Sequence, residues 1–207
     1  MRIRRDLVNQ LRGLLRGFGL RLGQVTTDRR LMMRLATLTG ERAQLARLVQ
    51  PLLAVHAAAG RELEALDEQV AARAAADPVC RRLMTVPGVG GLTALAFVAT
   101  VDDPRRFAKA AQAGAYLGLV PRQFQSGEVD IKGALLKRGD RMLRHLLYEA
   151  ANSVLGRLKR DCGLRRWGLA LQERLGAKRA RVAVARKLAV LLHRLWQRDE
   201  EFRWQTV

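Results

Sequence analysis

The sequence predicts a mainly α-helical protein. Three observations carry that prediction. Apolar residues make up 49% of the 207 residues but aromatics only 5%, so a core must come largely from Leu, Val and Ala, which favours helices. Apolar positions recur at three- and four-residue spacing along most of the chain. Only one long stretch, Gly118 to Gly133, escapes that phase.

The elements follow in order. Residues 2–18 form a basic amphipathic helix. Ile3, Leu7, Leu11, Leu14, Leu15 and Phe18 share one stripe, with Arg2, Arg4, Arg5, Arg12 and Arg16 largely elsewhere. Gly17, Gly19 and Gly23 end it. Residues 28–39 and 41–76 continue in helical phase. From Leu45 the apolar positions run Leu45, Leu48, Leu52, Val55, Ala59, Leu66 and Val70, the seam of a coiled coil or long helical hairpin. Asp77-Pro78 opens a new unit, because Pro is favoured in a first helical turn. A short helix over 79–84, a turn from Pro87 to Gly91 and a second apolar helix over Leu92–Thr100 come next. Asp102-Asp103-Pro104 breaks that helix, and another covers about 105–117. Gly118 to Gly133 has room for a short hairpin, and helices are expected over 139–158 and 178–198, the latter closed by Asp199-Glu200-Glu201. Two parts are therefore expected. Residues 1–77 would be a basic helix and coiled coil serving as linker or dimerisation region, and 78–207 a compact helical domain.

Charge narrows the class of partner. The net charge is +19 and the pI about 11.5, which points to a polyanion. Only six of the 38 basic residues are Lys, but Ala and Arg richness together also follow from a GC-rich genome, so the preference for Arg carries no information. Residues 1–77 hold a net +5, 78–125 a net +4 and 126–207 a net +10, so positive charge gathers in the last part. The only cysteines, Cys80 and Cys162, are far apart and lack a nearby His, which reads as free thiols rather than metal ligands. No apolar run approaches the ~20 residues that span a bilayer, and the Arg-rich start lacks a signal-type apolar segment. A cytoplasmic protein with no membrane partner is expected.

Two segments could carry chemistry. In Thr85-Val86-Pro87-Gly88-Val89-Gly90-Gly91 a glycine turn joins two helices, the pattern of a helix-hairpin-helix element. There the second helix would offer free N–H groups to a phosphate at Gly88 and Gly90 without reading any base. Ser126, in Gln125-Ser126-Gly127, is the candidate nucleophile, expected in a flexible loop between Arg122 and the basic residues Lys132, Lys137, Arg138, Arg141 and Arg144. Taken alone, a Ser-Gly pair is usually just a turn. His56 and His193 read as helix-packing residues and His145 as a phosphate contact at best. Trp167, Trp196 and Trp204 read as core or interface anchors, and Glu62, Glu64, Asp67 and Glu68 as a solvated helix face.

The blocks Val86-Pro87-Gly88-Val89-Gly90, Arg106-Phe107, Ala115-Tyr116-Leu117-Gly118-Leu119-Val120-Pro121-Arg122, Ser126-Gly127 and Lys137-Arg138-Gly139-Asp140-Arg141 with Leu143-Arg144 stand in a distinctive order. Over about 83–155 they make the chain closely resemble the C-terminal domain of bacterial insertion-sequence transposases of the DEDD/serine, bridge-RNA-guided family. Arg5-Asp6-Leu7-Val8-Asn9-Gln10-Leu11 resembles the helix after that family's RNase-H-like domain, and the segment to about 76 its coiled coil. The resemblance implies DNA transposition, with Ser126 becoming covalently joined to DNA. It implies Gly88, Gly90, Arg122, Lys132, Lys137, Arg138, Arg141 and Arg144 as contacts to DNA or a structured guide RNA, and a homo-oligomer through the coiled coil. The family's divalent metal (Mg) is held by its N-terminal domain, after which this chain starts, so no metal ligand or cofactor is expected here. Glu128 and Asp130 also interrupt a run that is usually basic in the family. Without the carboxylate domain a second reading stands: a non-catalytic DNA- or RNA-binding remnant, or an inhibitor of the full-length transposase.

Overall fold

The structure is a computed structural model. It describes residues 2–126, 129–136 and 138–204, with the backbone alone for the hairpin residues 122–126 and 129–135. It is mainly α, as expected. The helices are α1 (Arg2–Gly17), α2 (Asp28–Thr39), α3 (Ala43–Ala76), α4 (Pro78–Leu83), α5 (Gly91–Val101), α6 (Ala110–Tyr116), α7 (Arg141–Gly156), α8 (Gly163–Leu175) and α9 (Ala177–Arg198). A two-stranded antiparallel hairpin, β1 (Pro121–Ser126) and β2 (Val129–Leu135), fills the stretch that escapes helical phase. The chain divides into two compact units, Met1–Gln69 and Val70–Val207.

The first unit is built on an apolar cluster of Leu11, Leu15, Leu22, Leu31, Leu35, Leu45 and Val49. The α1 stripe supplies Leu11 and Leu15, and the loop after α1 drops Leu22 into the same cluster. Thr27 caps α2 by accepting from the Arg30 amide at 3.3 Å. Arg4 pairs with Asp28 and lies against Gly60 of α3. The expected seam of α3 is only partly covered. Leu45 is buried, whereas Leu48, Val55 and Leu66 are each more than half exposed.

The second unit packs around α9. Ala180, Val184, Ala185, Leu188, Ala189, Leu192, His193 and Leu195 are all buried on it, against a core that includes Phe97, Leu143, Leu147 and Val154. Asp77 caps α4 by accepting from the Cys80 amide at 2.9 Å, with Pro78 in the first turn. Two expectations change here. The helix expected over about 105–117 is a single 3-10 turn, Pro104–Arg106, followed by the shorter α6. Asp103 accepts from the Arg105 amide, Phe107 runs extended, and its ring packs edge-on against His193 at 5.6 Å. Tertiary packing of Phe107 thus interrupts the helical phase. The sequence reading also placed no helix between 158 and 178, where α8 forms. The stretch Arg157–Gly163 reads as a breaker, and Gly168 sits inside the apolar pattern of α8.

Cys80 is fully buried, and burial is the main reason its thiol is pushed up to about 11. The folded thiol stays neutral where an unfolded one ionises, so folding stability is full below pH 9 and falls as pH rises from about 9 to about 11. The loss is on the order of 2 kcal/mol, and Cys80→Ala removes that component of the pH dependence. Urea unfolding of both chains between pH 7 and 11 checks it. Leu188→Ala, at the middle of α9, costs about 2–5 kcal/mol in the same assay at pH 7.

Candidate nucleic-acid interface

The glycine turn between α4 and α5 is held from within. The Val86 amide donates to Leu83 O at 3.2 Å and the Val89 amide to Val86 O at 3.1 Å, with Val86 and Val89 buried. Gly88 has φ +83°, and a Cβ there would come 2.6 Å from the carbonyl oxygen of Ala150 on α7. Gly88 is therefore required by the close approach of the turn to α7. Gly90 differs. It starts α5 with no side-chain cap, and a Cβ there would meet nothing within 4 Å. Gly90 itself is exposed at the start of α5.

The C-terminal segment folds onto the start of this turn. The Phe202 amide donates to Thr85 Oγ1 at 2.9 Å, Arg82 pairs with Asp199 at 2.6 Å, and Arg160 lies over the Trp204 ring at 4.3 Å. Nothing in the spacing of Thr85 and Phe202, 117 residues apart, signals this contact.

The hairpin stands on a crossing of two backbones. α6 ends where the Leu119 amide donates to Gly114 O at 3.1 Å and Gly118 takes φ +66°. Gly139 takes φ +82°. A Cβ on Gly118 would collide with the backbone of Arg138, and one on Gly139 with the carbonyl of Tyr116. Arg144 locks the crossing, its Nη1 donating to Arg138 O at 2.6 Å, Leu117 O at 3.1 Å and Gly139 O at 3.3 Å. Just above, the Leu136 amide donates to Val120 O at 2.9 Å and closes the base of the hairpin. Asp140 caps α7 by accepting from the Leu143 amide at 2.5 Å.

The candidate residues divide accordingly. Arg138 and Arg141 are exposed at the hairpin base and form no ion pair among the described residues. Arg144 is turned inward to carbonyls. Arg122 lies at the irregularity in register between Pro121 and Gln123, and Lys132 is paired with Gln123. Lys137 lies outside the described residues, as does Gly127 beside Ser126. Ser126 ends β1, paired with Val129, rather than sitting in a loop. From Pro121 to Ser126 the strand runs six residues, about 17 Å from first to last. Arg138 and Arg141 at the base are thus separated by the strand's length from the serine they were expected to flank, while Asp130 follows Val129, the partner of Ser126, and pairs with Gln125.

The remaining residues have other roles. Arg106 donates to Val101 O at 3.1 Å and stacks over Tyr116, so the Arg106-Phe107 block is a packing device. His193 is fully buried with Nε2 2.8 Å from Pro104 O, and His145 is exposed. Trp196 packs on Phe97, and Trp167 carries Lys187 over its ring at 4.1 Å. Among the described residues no three His, Cys, Asp or Glu side chains gather as metal ligands, and no helix is long and apolar enough to cross a membrane.

Comparison with known proteins supplies the context. Residues 80–165 match the transposase IS116/IS110/IS902 family. The chain is 35% identical over 204 residues to the transposase for insertion sequence element IS1111A of Coxiella burnetii, covering 97% of this chain and 56% of that protein. It is 36% identical over 211 residues to a probable family 20 transposase of Pseudomonas aeruginosa (98% and 62%). It is 30% identical over 193 residues to the transposase for insertion sequence element IS1328 of Yersinia enterocolitica (91% and 57%). The chain thus spans a little over half the length of these relatives.

Two substitutions test the crossing. Gly118→Ala forces a methyl into the Arg138 backbone at positive φ and costs on the order of 3 kcal/mol or more. Arg144→Met removes a charged donor from three carbonyls and costs about 2 kcal/mol, with faster amide exchange at Leu136. Arg138→Gln, by contrast, stays within about 0.5 kcal/mol of the parent. Thermal melting and hydrogen exchange read all three.

Proposed function

Because residues 80–165 carry the transposase domain of the IS116/IS110/IS902 family, we propose that this chain acts in DNA transposition of an insertion sequence through Ser126. In this reading the second unit grips nucleic acid and presents the serine at the end of the hairpin. Ser126 Oγ forms a bond to a DNA phosphorus while a backbone P–O bond breaks. The departing strand end leaves as a hydroxyl, taking up a proton as the serine loses its own. A covalent phosphoserine link to DNA results.

One observation carries the reading. The hairpin that bears Ser126 rises from a backbone crossing that only glycines permit, and the exposed Arg138 and Arg141 flank that base. Arg141 sits in the first turn of α7, where the helix dipole disfavours a cation by about 0.3–1 kcal/mol. A phosphate at that helix end turns this cost into an attraction. The α4–α5 turn reads as a helix-hairpin-helix element, with the exposed Gly88 and Gly90 seating a phosphate. Arg122 and Lys132 add charge along the hairpin, and Lys137 follows it in sequence.

The strand that separates Ser126 from Arg138 and Arg141 implies that these two do not stabilise the reacting phosphorus, and charge from elsewhere is needed there. In the family reading the carboxylates of the RNase-H-like domain and their divalent metal supply it. The exposed Leu48, Val55 and Leu66 of α3 suit a coiled-coil contact with a second copy, and a structured guide RNA would supply sequence choice. The rival reading is a binding-only chain that occupies nucleic acid or inhibits a longer transposase. The exposed Arg138 and Arg141 support it, because they can hold a polyanion whether or not the serine reacts.

The test supplies the chain with a family RNase-H-like domain, Mg²⁺, guide RNA and element-end DNA. A DNA adduct that survives denaturation is expected, and Ser126→Ala abolishes it while leaving DNA binding within twofold. An undiminished adduct from Ser126→Ala sinks the serine mechanism. No adduct from either protein leaves the binding-only reading as the better one. Arg138→Gln with Arg141→Gln lowers the slope of log K against log salt on duplex DNA by about 1.8.

A further inference from the structure

We propose that the first unit carries a binding site of its own for nucleic-acid phosphates, in a cleft between α1 and the loop that follows it. The cleft, about 690 Å³, is lined by Arg12, Arg16 and Arg21 and by the chain from Gly19 to Gln24. A second hollow of about 450 Å³ shares Leu22, Gly23 and Gln24 with it and adds Arg30 and Arg34 from α2. Five guanidinium groups thus border two hollows that share the loop residues Leu22, Gly23 and Gln24, and no carboxylate lines either one.

What sets these five apart is that they gather around the same loop, and all five remain without a carboxylate among the described residues. None forms an ion pair among the described residues, and Asp28, the carboxylate at the start of α2, is taken by Arg4. The partners they have are neutral. Arg12 donates to Asn9 Oδ1 at 2.9 Å and to Gly23 O at 3.5 Å, and Arg30 to Thr26 Oγ1 at 3.3 Å. Such bonds orient a guanidinium without neutralising it. Gathered like charge repels, and a unit of 69 residues has a small core to oppose it. An anion in the cleft removes that repulsion.

The ligand class follows from the lining. Arg presents a planar fork that matches phosphate oxygens. Two arginine-lined hollows, one beside α1 and one beside α2 with the loop common to both, suit successive phosphates of a backbone rather than one isolated ion. No aromatic ring lines either hollow, so neither has a platform for stacking a base. Leu22, buried at 3% exposure, pins the loop to the core and keeps the cleft formed. The site stands on residues of the first unit alone and is independent of the chemistry at Ser126. DNA and RNA share the phosphodiester chemistry, and the experiment separates them.

The full chain is titrated against a 30-base-pair DNA duplex and an RNA stem-loop of equal charge, by fluorescence anisotropy over a KCl series. Two triple variants, R12Q/R16Q/R21Q and R2Q/R42Q/R61Q, lose the same charge, the second outside both hollows. The cleft variant is expected to bind at least tenfold more weakly, and its salt slope on duplex DNA to fall by about 2.7 if DNA is the ligand. A loss confined to the RNA identifies RNA. The outside variant keeps its slope on both. Equal losses in the two variants, or none in the first, overturn the proposal. Should the cleft variant fail to fold by circular dichroism, a photo-crosslinker at Gln24 in the otherwise unchanged chain decides. Crosslinking to either probe upholds the site, and its absence on both refutes it.

Discussion

The hairpin that bears Ser126 depends on one steric constraint, the passage of Gly118 and Gly139 across each other's backbone. Each takes a positive φ and each has a neighbouring carbonyl or amide where a Cβ would stand. Contact this close brings three carbonyl oxygens, from Leu117, Arg138 and Gly139, within reach of one donor. The Nη1 of Arg144 fills that role from the first turn of α7. A guanidinium delivers positive charge among the three oxygens, where a water would bring only its dipole. The strands above then pair in a register fixed by the Leu136–Val120 bond at their base.

α7 joins this constraint to the glycine turn. Its first turn holds the crossing through Arg144, and further along the same helix Ala150 receives Gly88. The two blocks of the candidate interface are 30 residues apart in sequence at Gly88 and Gly118, yet both rest on one rigid helix. That helix is fixed in turn by Leu143, Leu147, Ala151 and Val154 against α9 and the core of the second unit. Movement of α7 would therefore displace the turn and the hairpin base together.

Much of this was legible in the sequence where local physics decides. The periodicity of Leu7, Leu11 and Leu15 gave α1, Asp77-Pro78 gave the start of α4, and the loss of helical phase after Gly118 left room for the hairpin. What stayed hidden depends on contacts distant in sequence. Phe107 leaves helical phase because it packs on His193, and Phe202 reaches Thr85, pairings with no local signature. α8 was concealed by Gly168 and the polar run before it. At the candidate site, the motif glycines were visible but their division of labour was not. Gly88 and Gly90 look alike in sequence, and only the position of Ala150 shows that the first must be glycine while the second has room for a side chain. Ser126 was placed in a loop because a Ser-Gly pair reads as a turn. Its pairing with Val129 puts it on a strand, at the far end from Arg138 and Arg141.

The same distinction governs how the charge of +19 should be read. A basic residue contributes to polyanion binding only to the extent that its charge is not already answered within the fold. Arg144 answers three carbonyls, Arg81 the carbonyls of Ala75 and Ala76, Arg106 that of Val101, and Arg82 the carboxylate of Asp199. These are devices of packing that happen to be cationic. Arg138 and Arg141, and in the first unit Arg16, Arg21 and Arg34, are exposed and have no carboxylate partner among the described residues. Net charge sets the long-range field that draws a polyanion in, but where it is held follows from which guanidinium groups remain uncommitted. By that criterion the family motif around Lys137–Arg144 mixes two functions in one block. Arg138 and Arg141 stay exposed and uncommitted, and Gly139, Asp140 and Arg144 build the platform beneath them.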